Sequence, residues 1–264
     1  MSRIKAYILE HGYGQFIPRY LMFGGEKVIN DFVTYPSYTV LVEHPDGLLL
    51  YDASTNLDAY MANWEWANTG VWIEEPGKGL FVQLRKLGYE PPDLKYVVVS
   101  HLHPDHNGIV HLCENAEILV PETDFTYRAK SYLLRCDRFP HEVEFWAHCN
   151  TINWRLLTDY KTELLDGVTI YNYGEGHAGG ILTMLLELEG DGNKLVVSDA
   201  VFSQANLESA AQGVYPGYTQ RPEGYFEAVK DIKRIADEKN AEIWFGHDND
   251  QFAAMRKSPE KHYE

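Results

Sequence analysis

The sequence is short of cysteine, of long apolar runs and of positive charge, and each shortage closes off a class of protein. Its three cysteines, Cys113, Cys136 and Cys149, are an odd number without CxxC spacing, so neither a disulfide framework nor a thiolate zinc site is indicated. Cys113 and Cys149 read as small buried apolar residues, and a reducing cytoplasm is the expected compartment. No window approaches the roughly 18 uncharged apolar residues that a membrane-spanning helix needs. Met1-Ser2-Arg3-Ile4-Lys5 runs into a strand-like stretch instead of a signal-peptide apolar region, so a soluble protein not exported by that route is expected. Lys and Arg total 23 against 39 Asp and Glu, a net charge of −16, which repels nucleic-acid phosphate and acidic lipid headgroups. Neither nucleic acid nor a membrane is an expected partner.

What is present is core material. Of 264 residues, 45% are hydrophobic and 13% aromatic, enough for a sizeable core and too much for a disordered chain. No repeat, linker or low-complexity stretch marks a boundary, so residues 1–264 are expected to form one domain. Strands are predicted at Ile4 to Leu9, Tyr38 to Val42 and Leu48 to Tyr51, the last two joined by the turn Pro45-Asp46-Gly47. After Gly79 a short amphipathic helix through Leu87 leads past Pro91-Pro92 into the apolar strand Tyr96 to Val99. Further strands are predicted at Val168 to Tyr173, Thr183 to Leu188, Lys194 to Val197 and Glu242 to Phe245. A helix starting at Pro222 carries Phe226, Val229, Ile232 and Ile235 on one face. Strands with interspersed helices in both halves predict two sheets covered by helices, an α/β or α+β sandwich. The stretch from Tyr127 to Thr162 is left unassigned.

The chemistry gathers at the end of the strand Tyr96 to Val99. There the chain reads Ser100-His101-Leu102-His103-Pro104-Asp105-His106-Asn107-Gly108. On an extended segment His101 and His103 project to one side, and the turn at Pro104 brings Asp105 and His106 to a neighbouring point. Nitrogen and carboxylate donors without thiolates suit zinc, with manganese, iron or cobalt able to use the same set. A metal site needs more donors, and three strand ends offer one each beside small residues: His177 in Gly176-His177-Ala178-Gly179, Asp199 in Ser198-Asp199-Ala200, and His247 in Gly246-His247-Asp248.

The run His101, His103, Asp105, His106 matches the HxHxDH signature in full, and by it the chain resembles the metallo-β-lactamase superfamily, within which it is most similar to the N-acyl homoserine lactonases, the quorum-quenching lactonases. The resemblance implies an αββα sandwich of two mixed sheets with helices outside. It implies two zinc ions, the first held by His101, His103 and His177, the second by Asp105, His106 and His247, with Asp199 bridging. It implies a hydrolase that opens a small lactone by attack of a metal-bound hydroxide, with Asp105 and Asp199 in the catalytic machinery and Asp105 guiding the proton toward the leaving alkoxide. The expected partner is a small-molecule lactone, and a homodimer is left open. Asp52, at the end of an early strand, reads equally as a group orienting the histidines and as a turn residue.

The substrate pocket is less legible. Trp64, Trp66, Trp72 and Phe81 fall where the family places loops over the metals, and Tyr35, Tyr215 and Tyr218 are further candidates; each reads equally as ordinary core or surface. Two departures from the lactonase pattern stand out. The family run GHxPGH is here Gly176-His177-Ala178-Gly179-Gly180-Ile181, lacking the second histidine, and the family tyrosine three residues after the bridging aspartate is Phe202. A glyoxalase-II-like thioesterase, or another hydrolase of the same fold, is therefore the alternative. Flavodiiron-type redox proteins carry a glutamate where this chain has His103, which argues against that class.

Overall fold

A computed structural model describes residues 4–55, 71–74, 76–134 and 149–264. Its strands fall into two sheets in chain order. The first contains β1 (Lys5–Pro18), β2 (Phe32–His44), β3 (Gly47–Tyr51), β4 (Val71–Glu74), β5 (Leu94–Val98), β6 (Glu117–Pro121) and β7 (Asn153–Leu157), in spatial order β4-β1-β2-β3-β5-β6-β7. The second contains β8 (Lys161–Leu165), β9 (Val168–Asn172), β10 (Leu182–Leu186), β11 (Lys194–Ser198) and β12 (Glu242–Phe245), in order β12-β11-β10-β9-β8. Both are mixed: β3, β5, β6 and β7 run parallel and β1 to β3 antiparallel, while β11 and β12 form the one parallel pair described in the second sheet. The helices are α1 (Arg19–Phe23), α2 (Leu80–Lys86), α3 (Pro104–Asn107), α4 (Glu122–Leu133), α5 (Gln204–Ala210), α6 (Pro222–Lys239) and α7 (Asn249–Ala254).

Alternation along the strands sorts the apolar residues into layers. Ala6, Ile8, Val40, Val42, Leu49, Tyr51, Val98 and Leu119 of the first sheet meet Val168, Ile170, Leu182, Met184, Leu186, Val196 and Trp244 of the second. Their sequence neighbours Leu9, Leu41, Leu50, Val97 and Ile118 face the other way, against Leu80 and Leu84 of α2. On the far side Leu185, Leu195 and Val197 take Tyr225, Val229, Ile232 and Ile235 of α6. The result is the expected four-layer sandwich, helix on sheet on sheet on helix.

The predicted strands all form with different extents, and β4, β6, β7 and β8 form where no strand was predicted. Strands β1 and β2 run well past the predicted Ile4 to Leu9 and Tyr38 to Val42. Gly12 sits at a register shift with φ +155°, and a Cβ there would lie 1.8 Å from the Ile73 carbonyl oxygen. The missing side chain admits β4 alongside the bulge. The unassigned stretch begins in α4, contains β7 and ends at the start of β8. Helix α4 hides from hydrophobic periodicity because the residues it buries, Asp124 and Arg128, are charged.

The sheets are pinned together at one end. Tyr51 Oη donates to the Leu182 carbonyl (2.7 Å), Tyr38 Oη to the Phe245 carbonyl (2.5 Å), and Leu182 N–H to the Ser100 carbonyl (2.8 Å). All the strand ends that carry candidate donors open at this end.

Candidate metal centre

Local backbone chemistry shapes the motif loop. Past Val99 the chain bends through Ser100 to His103; His103, with extended φ −76° and ψ 150°, precedes α3, and Pro104 starts the helix at the position where its missing N–H costs nothing. His101 and His103 thus precede the helix, while Asp105 and His106 occupy its first turn. The β9–β10 connection brings in His177, and the ends of β11 and β12 bring in Asp199 and His247. Asp52 and Ser198, each at a strand end, hold left-handed backbone (φ +64° and +46°), strain of the kind that clusters at functional sites.

These side chains converge into two groups of donors. In the first, His103 Nδ1 lies 2.8 Å from His101 Nε2 and 3.0 Å from His177 Nε2, and Asp199 Oδ2 lies 3.2 Å from His177 Nε2 and 3.7 Å from His101 Nε2. In the second, Asp105 Oδ2 is 3.4 Å from His106 Nε2, while Asp199 Oδ1 is 3.0 Å from His247 Nε2 and 3.4 Å from His106 Nε2. Within each group the donor atoms fall within 4.8 Å of one another. A tetrahedral ion about 2.0 Å from nitrogen and oxygen donors separates them by about 3.3 Å, so the observed spacings bracket what such an ion requires. His106 Nε2 and Asp199 Oδ1 are buried and, among the described residues, have no hydrogen-bond partner of good geometry. Buried polar atoms left this way mark a place for an ion.

Three of the ring nitrogens turned away from the centre are held, while His177 Nδ1 is buried without a hydrogen-bond partner among the described residues. His106 Nδ1 donates to Asp52 Oδ2 (2.8 Å), His247 Nδ1 to the Pro36 carbonyl (2.8 Å), and His101 Nδ1 meets Ser100 Oγ (3.0 Å). Asp52 also accepts from Ser100 N–H (2.7 Å), Ser100 Oγ (3.1 Å) and Ser198 Oγ (3.0 Å). Such partners fix which nitrogen faces the metal. Of the two readings open for Asp52, the structure places it with the histidines. Ser100 and Ser198 flank the motif residues in sequence yet show no signal of this role, since a lone serine after a strand is commonplace.

The electrostatics differ between the two groups. Burial, reinforced by the neighbouring imidazoles of His106, His103 and His177, keeps His101 well below the usual histidine range, and burial does the same to His103 with help from Arg128. These two rings are neutral, with lone pairs free for a cation. Burial alone would lower His106, yet the carboxylates of Asp105, Asp199 and Asp52 raise it well above its usual value; His247 is raised against burial by Asp199. Asp199 in turn, which burial would raise, is held well below its usual range by His106, His247 and His177. The second group is thus a place where positive charge is favoured. The residues present fit a metal centre in donor type, spacing and charge.

Phe202 is 2% exposed, its ring 5.2 Å from that of His177 and 5.6 Å from that of His247. It packs with Ile17, Met22, Tyr35 and Trp72, and Tyr218 lies against the same cluster. Tyr35 stands 4.3 Å from the His247 ring. Tyr215 is 42% exposed with its ring 6.0 Å from Phe226 on α6, and Phe81 packs into the layer under α2. Trp64 and Trp66 lie outside the described residues.

Comparison with known proteins agrees with this geometry. An N-acyl homoserine lactonase of Agrobacterium fabrum is 29% identical over 246 residues, covering 90% of this chain and 88% of its own length. One from Bacillus thuringiensis is 28% identical over 236 residues, covering 85% and 86%. A solved structure of an N-acyl homoserine lactone hydrolase with N-hexanoyl-L-homoserine at its catalytic metal centre superimposes with a TM-score of 0.83 over all of both chains at 23% identity. The model of the metallo-beta-lactamase superfamily matches residues 33–247, a span that runs from β2 through the last donor, and the chain belongs to that superfamily.

Proposed function

We propose that the chain, read as one domain, is a dinuclear metal hydrolase that opens the ring of N-acyl homoserine lactones or related small lactones. The observation that carries this is the division of six donors into two groups of three facing the two oxygens of Asp199. Lactonase relatives matching about nine-tenths of the chain supply the substrate class. His101, His103 and His177 would hold one ion, Asp105, His106 and His247 the other, and Asp199 would bridge them. Two divalent cations, zinc foremost, with manganese, iron or cobalt as substitutes, would polarise the lactone carbonyl and activate a water near neutral pH.

The chain's own groups supply the rest. Asp52 keeps the His106 ring oriented, and Ser100 does so for His101. Asp105, the less buried of the two catalytic carboxylates, receives the proton released on attack and delivers it to the ring oxygen, which in a lactone stays tethered to the product. Phe202, Tyr35 and Trp72, with Tyr218 against them, form a buried apolar cluster beside His177 and His247, and an acyl chain would lie at its edge. Buried Cys113 is a free thiol, in keeping with a reducing cytoplasm, which we propose as its location.

The test is metal analysis beside an acid-release assay over short- and long-chain N-acyl homoserine lactones, with a thioester and a β-lactam in parallel. About two ions per chain, and lactone opening that is abolished by chelation and restored by zinc, are expected. Full activity after exhaustive chelation overturns the metal role, and rapid thioester cleavage without lactone opening transfers the assignment to a thioesterase.

A further inference from the structure

Helix α4 begins beside the metal centre without contributing a donor to it. Its third residue, Asp124, is fully buried, and its carboxylate joins two different loops. Oδ2 accepts the Leu102 N–H at 2.6 Å and Oδ1 the Gly179 N–H at 3.0 Å. Leu102 sits between His101 and His103, and Gly179 lies two residues past His177. All three imidazoles of the first donor group therefore hang from two loops that meet on one carboxylate. We propose that Asp124 is a positioning residue for the first metal half-site, a clamp that sets the distance between the His101–His103 loop and the His177 loop.

The surroundings are built for such a clamp. A carboxylate taken wholly out of water needs compensation, and here it has two amide donors, the first turn of a 12-residue helix and Arg128, whose Nε lies 3.9 Å from Oδ1. The His177 loop reaches the helix because it carries no side chains where it touches. A Cβ on Gly179 would lie 2.9 Å from Asp124 Oδ1, and one on Gly180 would lie 2.4 Å from Thr123 Oγ1 and 2.7 Å from Pro121 Cβ. The departure from GHxPGH takes on a meaning at the same point. Position 179 is proline in that pattern, and proline has no N–H to donate. Glycine at this position supplies both the close approach and the donor.

The proposal rests on the metal reading of the cluster and is tested on metal binding. Metal-free protein is titrated with Co²⁺, following the ligand-field absorption and competition with a chelator. Asp124→Asn keeps the volume while replacing a two-oxygen acceptor by one oxygen and an amide donor. It is expected to weaken the first ion by about 10–100-fold, the usual effect of losing an outer-shell partner, while the ion held by Asp105, His106 and His247 keeps its affinity. Equal affinity for both ions in variant and wild type, or equal loss of both, overturns the clamp. Hydrogen exchange on metal-free wild type needs no variant: slow exchange at Leu102 and Gly179 is expected, and exchange at open-loop rates overturns it. A wild type that binds no cobalt would sink the metal reading itself and the clamp's purpose with it. A wild type that loads two ions beside an unaltered Asp124→Asn would sink the clamp alone.

Discussion

Asp199 presents one oxygen to each donor group, so its charge does two jobs that an amide cannot do together. Asp199→Asn is expected to lower both metal occupancy and lactone turnover, checked by metal analysis and steady-state kinetics; unchanged turnover would remove it from the bridging position. Phe202 poses the converse question, since it stands three residues on with no donor, its ring against His177 and His247. Phe202→Tyr should raise lactone kcat/KM by about tenfold if one hydrogen bond of about 1.4 kcal/mol is gained in the transition state. An unaltered rate would mean that a donor such as Tyr218, in the same cluster, already fills that place. Away from the site, His11 is buried in β1 with its Nε2 against Thr39 Oγ1. Burial lowers it to about 4, against a small opposing effect of a backbone hydrogen bond with Lys78. The unfolded chain takes a proton on this ring below its ordinary value of 6.5, while the folded chain refuses it until about pH 4. Stability is therefore lost as pH falls through that window. His11→Gln should flatten the Tm-against-pH curve there relative to wild type, and parallel curves would contradict the assignment.

At the scale of elements, legibility followed the density of the signal. Four donors within six residues announce themselves, and His177, Asp199 and His247 gain meaning from that motif because each ends a strand. Asp124 shows nothing comparable, because both its partners are backbone amides of residues 22 and 55 positions away. The start of α6 at Pro222 is legible in the sequence, but what it packs against is not. Gln220 and Arg221 N–H both donate to the Gly176 carbonyl (2.9 Å each), and a Cβ on Gly224 would come within 1.8 Å of the Glu175 carbonyl oxygen. Helix propensity alone favours alanine at Gly224 by about 1 kcal/mol. Packing opposes it, because the obstructing atom is backbone of the loop that carries His177. Gly224→Ala is expected to destabilise the protein by about 1–3 kcal/mol and to weaken metal binding at His177, measured by thermal unfolding and cobalt titration. A raised Tm would show that the loop yields without cost.

For the whole molecule, the donors tie one sheet to the other: His101, His103, Asp105 and His106 follow β5, whereas His177, Asp199 and His247 belong to the second sheet. Ions bound there would act as a cross-link present only in the folded chain. At about a thousand times Kd each contributes about 4 kcal/mol, and for a chain of this size 1 kcal/mol moves Tm by about 2–4 °C. Stripping the metal should lower Tm by about 10 °C or more, read by scanning calorimetry with and without chelator; an unchanged Tm would show that the two sheets hold without ions.

The order of the donors along the chain bears on synthesis as well. A nascent polypeptide that has emerged as far as β10 already owns His101, His103 and His177, three imidazoles able to seize a cation. Asp199 arrives some twenty residues later and His247 nearly fifty after that. An ion at the first position would have its three imidazoles while translation is still under way, and one at the second would lack His247 until β12 docks beside β11. Loading would then follow the order of the chain, and zinc present during refolding should speed closure of the two sheets relative to refolding without it.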